Sequence, residues 1–283
     1  MDRVGVQSWG VRDMNIANRQ TLQTGFSLLE LSIALTIIGV LLYGVTGVLN
    51  KIEDFDEYAE NRVYMEDVHD AFLTFVQVNR FLPCPDTDSP PDGRENRVMN
   101  SAKLECDDEE GKVPFLDLGV NRADVWNNPL YYAVNNTADS VSVIDANSSA
   151  SYFNTLTAPM PGFDYETPPF GSDDGAGNYN VCNETAAFCS SSTPSADVIE
   201  FAAVAVVISF GKNGADTWAR RAAGTEAALG DAETENADDD NYFWQGQGSN
   251  VESQAFDDQL FWLTGYDIKY AVIRSGADLP DIP

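Results

Sequence analysis

The chain has 283 residues, enough for one large or two small domains with a real core. It carries 45 acidic against 16 basic side chains, a formal net charge of −29, with the acidic excess after Asn50. Non-specific nucleic-acid binding depends on cationic neutralisation of phosphates, so this balance argues against a nucleic-acid partner; an acidic domain of this kind is well solvated and attracts cations.

Residues 1–25 read as a leader, with Arg3, Arg12 and Arg19 set against Asp2 and Asp13. The positive bias suits a cytoplasmic N-terminus, and Met14 offers an alternative start. Thr24 to Asn50 is the organising stretch. Leu31 to Asn50 carry no formal charge, and about twenty apolar residues in a helix cross roughly 30 Å of hydrocarbon. The expectation is a membrane span over residues 26–50. Glu30 sits just inside its N-terminal end, where a carboxylate is costly in lipid and calls for a partner. Val48, Leu49 and Asn50 lead into a charged segment and not into a secretory cleavage site, which places the alternative cut before the run, at Gly25–Phe26.

The run Gly25, Phe26, Ser27, Leu28, Leu29, Glu30 resembles the class III signal of type IV pilins and type II secretion pseudopilins. The resemblance covers only these residues and the apolar run after them. It implies that a prepilin peptidase cuts after Gly25 and methylates the new terminal residue, Phe26. It also implies that Glu30 pairs with the terminal ammonium of a neighbouring subunit. The implied partners are other pilin or pseudopilin subunits, the peptidase, and an inner-membrane assembly platform with its ATPase. The implied location is the bacterial inner membrane, single-pass with the head in the periplasm, then a periplasmic or surface filament.

Beyond Asn50, helical periodicity continues through Ile52, Phe55, Ala59, Val63, Val68, Phe72 and Phe75, with one slip of five between Val63 and Val68. The expectation is one helix over residues 26–79, on the order of 80 Å long, whose second part, 51–80, is an amphipathic stem. Family stems often carry a proline where this chain has Gly47. Pro83 and Pro85 end the stem, and residues 81–283 form a globular head. Candidate strands are Leu130–Asn135, Ser140–Ile144 and Ala203–Phe210, the last the most apolar and central. Residues 161–197 read as an exposed, irregular loop. Phe261–Leu263 suggests an edge strand, and Tyr266, Lys269, Tyr270 and Ile273 have helical spacing. The fold class expected is α+β, a long N-terminal helix (transmembrane, then amphipathic) packed on a strand-rich head.

Cys84, Cys106, Cys182 and Cys189 all lie in the head, and an even count in loops favours two disulfides. The reading pairs Cys84 with Cys106 and Cys182 with Cys189, while the sequence alone leaves three pairings open. Zinc is disfavoured because paired CxxC spacing is absent. The acidic C-terminal cluster runs from Asp216 through Glu233, Glu235, Asp238, Asp239 and Asp240 to Asp257 and Asp258. Calcium takes six to eight hard oxygens, often from such Gly- and Asn-rich loops, and major pseudopilins resemble this chain in having a calcium-stabilised loop near the C-terminus. The expected ligand set is Asn213, Asp216, Thr217, Glu235, Asn236, Asp238 and Asp240, against a plain solvated acidic loop. Asp86, Asp88 and Asp92 form a second candidate, with two prolines stretching the spacing away from a calcium loop.

Catalysis is poorly signalled. The single histidine, His69, lies on the stem; no GxSxG is present, and Gly211-Lys212 lacks the rest of a phosphate loop. Trp218, Phe243, Trp244, Phe256, Phe261 and Trp262 suggest either head packing or a sugar-binding face, with packing favoured. The functional expectation is a non-enzymatic, minor structural subunit of a type II secretion or type IV pilus filament. The alternative is a pilus-borne binding or adhesion module.

Overall fold

The structure, a computed structural model, describes residues 27–79, 81–100, 103–134, 156–157, 179–183, 189–228, 231–246, 256–274 and 276. The cleavage residues Gly25 and Phe26 and the expected strand Ser140–Ile144 lie outside them. The chain divides into two compact units, Met1–Glu53 and Asp54–Pro283.

Helix α1 runs Leu28–Asn79. In the first unit its described side chains, Leu28 to Leu42, are exposed on every side. They offer about 22 Å of apolar rise against roughly 30 Å of hydrocarbon. Among the described residues no helix is long and apolar enough to cross a membrane. The expected long apolar span is therefore not found. Both the transmembrane half of the anticipated fold class and the single-pass inner-membrane location are corrected.

In the second unit α1 buries Asn61, Met65, Val68, Phe72 and Val76, a stripe at steps of three and four. The expected stripe differs in its first turns: Ala59 is exposed and Val63 is 55 % exposed. The slip of five marked a change of face. The true stripe runs through a polar residue, Asn61, which a search for apolar periodicity passes over.

The head has two sheets. The smaller joins β1 (Arg97–Asn100), β2 (Lys103–Cys106) and β5 (Leu156–Thr157) in antiparallel pairs. The larger contains β3 (Glu110–Lys112), β4 (Tyr131–Val134), β6 (Tyr179–Cys182), β7 (Val198–Ser209), β8 (Tyr242–Trp244) and β9 (Gln259–Thr264). Between them in the chain lie α2 (Phe115–Leu118), α3 (Gly214–Ala223) and α4 (Asp231–Ala237), with α5 (Gly265–Arg274) last. The twelve-residue β7 is the spine. Its later half pairs with β4 and β9, its earlier half with β6, all antiparallel, while β8 joins β6 in parallel.

β7 feeds two cores, alternating strictly only from Ala205 onward. Ala205 and Val207 join the core of the α1 stripe, Leu263 and Ile268, while Val206 and Ile208 join that of Tyr131, Tyr179, Phe210 and Phe243. A register shift between Ala203 and Ala205 reverses the order before it, so that Val204 belongs to the first core and Ala203 to the second. The expected strands at 130–135, 203–210 and 261–263 and the helix near 266–273 are present with shifted ends. The reading of 161–197 as an exposed loop is wrong at β6, where Tyr179, Val181 and Cys182 are buried in the sheet.

Both expected disulfides are present, Cys84–Cys106 and Cys182–Cys189. The first ties the end of β2 to the segment after α1. The second, with Val198, Tyr242 and Trp244, packs a small satellite core.

Candidate functional site

Ser27 and Glu30 stand at the start of α1. The Ser27 backbone N–H donates to Glu30 Oε2 at 3.0 Å, and the Glu30 N–H donates to Ser27 Oγ at 3.1 Å. This is a reciprocal capping box, which satisfies two of the backbone donors that every helix leaves orphaned at its first turn. Glu30 is exposed, and one carboxylate oxygen is engaged by the cap. The carboxylate is thus held at the helix start.

In the second unit three segments converge at the C-terminal end of β7. The turn Gly211–Asn213 leaves the strand and leads into α3. Helix α4 presents Glu233 and Asn236, three apart and hence on one face. Asp257 and Asp258 precede β9. Gly211 is required where it stands: its φ is +60°, and a Cβ there would lie 2.5 Å from Asp257 Cγ. That close approach lets the Lys212 N–H donate to Asp257 Oδ2 at 2.8 Å. Asn213 Nδ2 donates to Glu233 Oε2 at 2.7 Å, and Asn236 Nδ2 to Asp258 Oδ2 at 2.8 Å.

Each carboxylate therefore spends one oxygen on a fixed donor and holds the other free. Glu233 Oε1, Asp257 Oδ1 and Asp258 Oδ1 are buried without a hydrogen-bond partner among the described residues, as is Asn213 Oδ1. Ligand atoms of Glu233, Asp257 and Asp258 lie within 4.8 Å of one another, and Glu233 and Asp258 are only 5 % and 6 % exposed. Burial pushes all three carboxyls above their usual range, and mutual repulsion with Asp257 adds to the effect at Glu233 and Asp258. Convergent, desolvated, under-satisfied oxygens are the chemistry a hard divalent cation meets. The donor set fits calcium.

The expected ligands distribute unevenly around this point. Asn213 belongs to it. Asn236 supports it from behind, its Oδ1 already accepting the Trp244 N–H at 2.8 Å. Thr217 is buried on α3 with its Oγ1 unpartnered. Asp216 is exposed and ion-paired with Arg220 at 2.7 Å. Glu235, Asp238 and Asp240 form a separate group. Desolvation and then mutual repulsion raise Glu235 to about 8 and Asp238 to about 7. Nearby, Arg221 bonds the Ala237 and Asp238 carbonyls and pairs with Glu110 at 2.6 Å and Asp239 at 2.9 Å.

The expected set did not include Glu233, Asp257 or Asp258, whose ligand atoms the fold brings together. Residues 231–237 form a helix where the sequence suggested a loop, and only helical spacing separates the Glu233–Asn236 face from Glu235. Of the second candidate, Asp86 accepts the Asp88 N–H at 3.0 Å and the Gly93 N–H at 2.6 Å. Both of its oxygens help to fix a turn, and ligand atoms of Asp86, Asp88 and Asp92 lie within 4.8 Å of one another, with Asp88 and Asp92 at least partly exposed. Of the aromatic residues, Phe243 is buried in the second core with Trp218 and Trp262 packed against it; Phe261 packs against the first core and Trp244 against the satellite core.

No family model, no curated protein and no solved structure matches the chain.

Proposed function

We propose that this chain is a pseudopilin-like structural subunit, with a minor role, of a type II secretion or type IV pilus filament. One observation carries the reading. Helix α1 opens on the Ser27–Glu30 box and exposes Leu31, Ile33, Leu35, Ile37, Ile38, Val40, Leu41 and Leu42 around its circumference. Isolated exposed apolar residues are ordinary, but a contiguous apolar helix surface calls for cover. Helices of further copies supply that cover in a fibre, packing side by side along their apolar faces.

Cleavage at Gly25–Phe26 by a prepilin peptidase frees an ammonium, and Glu30 of a neighbouring copy neutralises it as the subunit joins. An assembly platform and its ATPase are the further partners. In the head, Glu233, Asp257, Asp258 and Asn213 would hold a calcium ion, which would supply charge neutralisation to their clustered carboxylates.

N-terminal sequencing of protein from cells with and without the peptidase tests the reading. The mature chain is expected to begin at methylated Phe26, and Glu30→Ala is expected to abolish incorporation into fibres. A mature terminus upstream of Phe26, or fibres indifferent to Glu30→Ala, ends it.

A further inference from the structure

Basic side chains are scarce in this chain, and most of those described in the head are engaged. Arg94, Arg97, Arg220 and Arg221 each hold a carboxylate. Lys112 and Arg122 do not pair with an acid among the described residues, yet both line one cavity of about 250 Å³. Its remaining wall is largely apolar, with Val113, Phe115 and Pro129.

Both cations are mounted on fixed backbone. Lys112 exchanges two backbone hydrogen bonds with Asp86, at 2.8 and 2.9 Å, and its Nζ stands 5.3 Å over the Trp218 ring. Arg122 precedes a turn locked by the buried Asp124, which accepts the Trp126 and Asn128 N–H groups and the Ser209 hydroxyl. An anion entering this concavity meets a wall to which two cationic residues contribute.

We infer that this pocket is a contact surface for an acidic turn of a second copy of the chain. The inference rests on the filament reading above. Charge complementarity selects the occupant. Two chains of net charge −29 repel over most of their surfaces, so association is steered to the few places where cationic side chains without an acid partner can meet carboxylates. The segment Asp107-Asp108-Glu109-Glu110 presents Asp107 and Asp108 to solvent immediately after the disulfide-bonded Cys106. A pocket on one copy meeting a turn on the next is a contact between unlike surfaces, the kind that propagates into open assemblies when its rotation does not close a ring.

The test titrates the capped tetrapeptide Asp-Asp-Glu-Glu into the full chain by calorimetry at low salt. Binding is expected, weakening at least tenfold in a Lys112→Gln/Arg122→Gln variant and unchanged in Arg274→Gln. The exposed single substitution Arg122→Glu repeats the measurement should the double variant melt early. No binding to the unaltered chain, or equal binding by the pocket variants, overturns the inference. Peptide binding does not require fibres, so loss of the filament reading and loss of this pocket register separately. Where fibres form, Arg122→Glu is expected to reduce incorporation and Asp108→Lys in a co-expressed copy to restore part of it.

Discussion

Asn61 on α1 donates its Nδ2 to Ser209 Oγ at the end of β7, 3.1 Å away, and also to Gln259 Oε1 at 3.1 Å. Ser209 passes the connection on, donating to Asp124 Oδ2 at 2.7 Å. One buried polar chain thus joins the stem portion of α1, the spine strand, β9 and the turn that carries Arg122. Asn61 and Ser209 are both fully buried, so neither can exchange its partner for water. Asn61→Ala is expected to cost about 1–3 kcal/mol, the penalty for leaving buried polar groups unmatched. Val63→Ala, two residues away but exposed, is expected to change stability by less than about 0.5 kcal/mol. Denaturant unfolding of both variants checks this; equal losses would show that the buried chain contributes nothing special.

Removal of a divalent cation should expose the cost of the acid cluster. With calcium at about a hundred times its dissociation constant, ligand linkage contributes about 2.7 kcal/mol, or a melting rise of roughly 5–10 °C for a domain of this size. Asp258→Asn should invert its sign with conditions. In EDTA the variant is expected to be more stable than the parent, because a buried charge without a cation has been removed. In calcium it is expected to be less stable, because a ligand has been lost. Thermal melts of both proteins in both buffers decide the matter, and parallel shifts without a crossing remove the site.

The same carboxyls set a pH dependence. Burial raises Glu235 to about 8 and Asp238 to about 7 in the folded chain, whereas in the unfolded chain both titrate near the ordinary carboxylate value of about 4. Between these limits the folded state binds more protons than the unfolded state. Stability must therefore fall as pH rises from about 4 to about 8. In EDTA the melting temperature is expected to decline across that window. Glu235→Gln should flatten the decline, since the amide has no proton to lose. A stability that rises from pH 5 to pH 8 in EDTA would contradict the burial of these groups.

Elements whose side chains repeat with a clean period were legible in the sequence. The β7 run Ala203–Ile208 is apolar on both faces because both faces are covered, and the end of α1 shows its stripe at Val68 and Phe72, after which the buried position is Val76 and not the expected Phe75. The first half of the stripe was not legible, because its key position is Asn61, whose burial depends on Ser209 and Gln259 far along the chain. β6 was hidden for a related reason. Tyr179–Cys182 is four residues long in a polar, Gly-rich context and becomes a strand only by lying between β7 and β8. At the acid cluster the composition was plain but the partition was not. Composition cannot tell that Asp258 faces Asn236 while Asp216 reaches out to Arg220. Helix propensity was a poor guide at 231–237, where Asp and Asn favour caps and turns and tertiary packing of Ala237 against Phe243 prevails.

Glu30 has two separable properties, a hydrogen-bond acceptor and a charge. As an acceptor it closes the box with Ser27 at the start of α1; as an anion it suits the positive end of the helix dipole and, in the filament reading, a neighbour's ammonium. Glu30→Gln keeps a carbonyl oxygen for the Ser27 N–H and discards the charge. Ser27→Ala keeps the charge and discards the hydroxyl that receives the Glu30 N–H, at a cost of about 1 kcal/mol in local helix stability. Hydrogen exchange over residues 27–31 is therefore expected to speed up in Ser27→Ala and to stay close to the parent in Glu30→Gln. Fibre incorporation is expected to respond the other way, lost in Glu30→Gln and largely retained in Ser27→Ala. The opposite pattern, with fibres surviving the loss of charge and failing with the cap, would make Glu30 a helix-start residue and leave the neighbour's ammonium without its counter-ion.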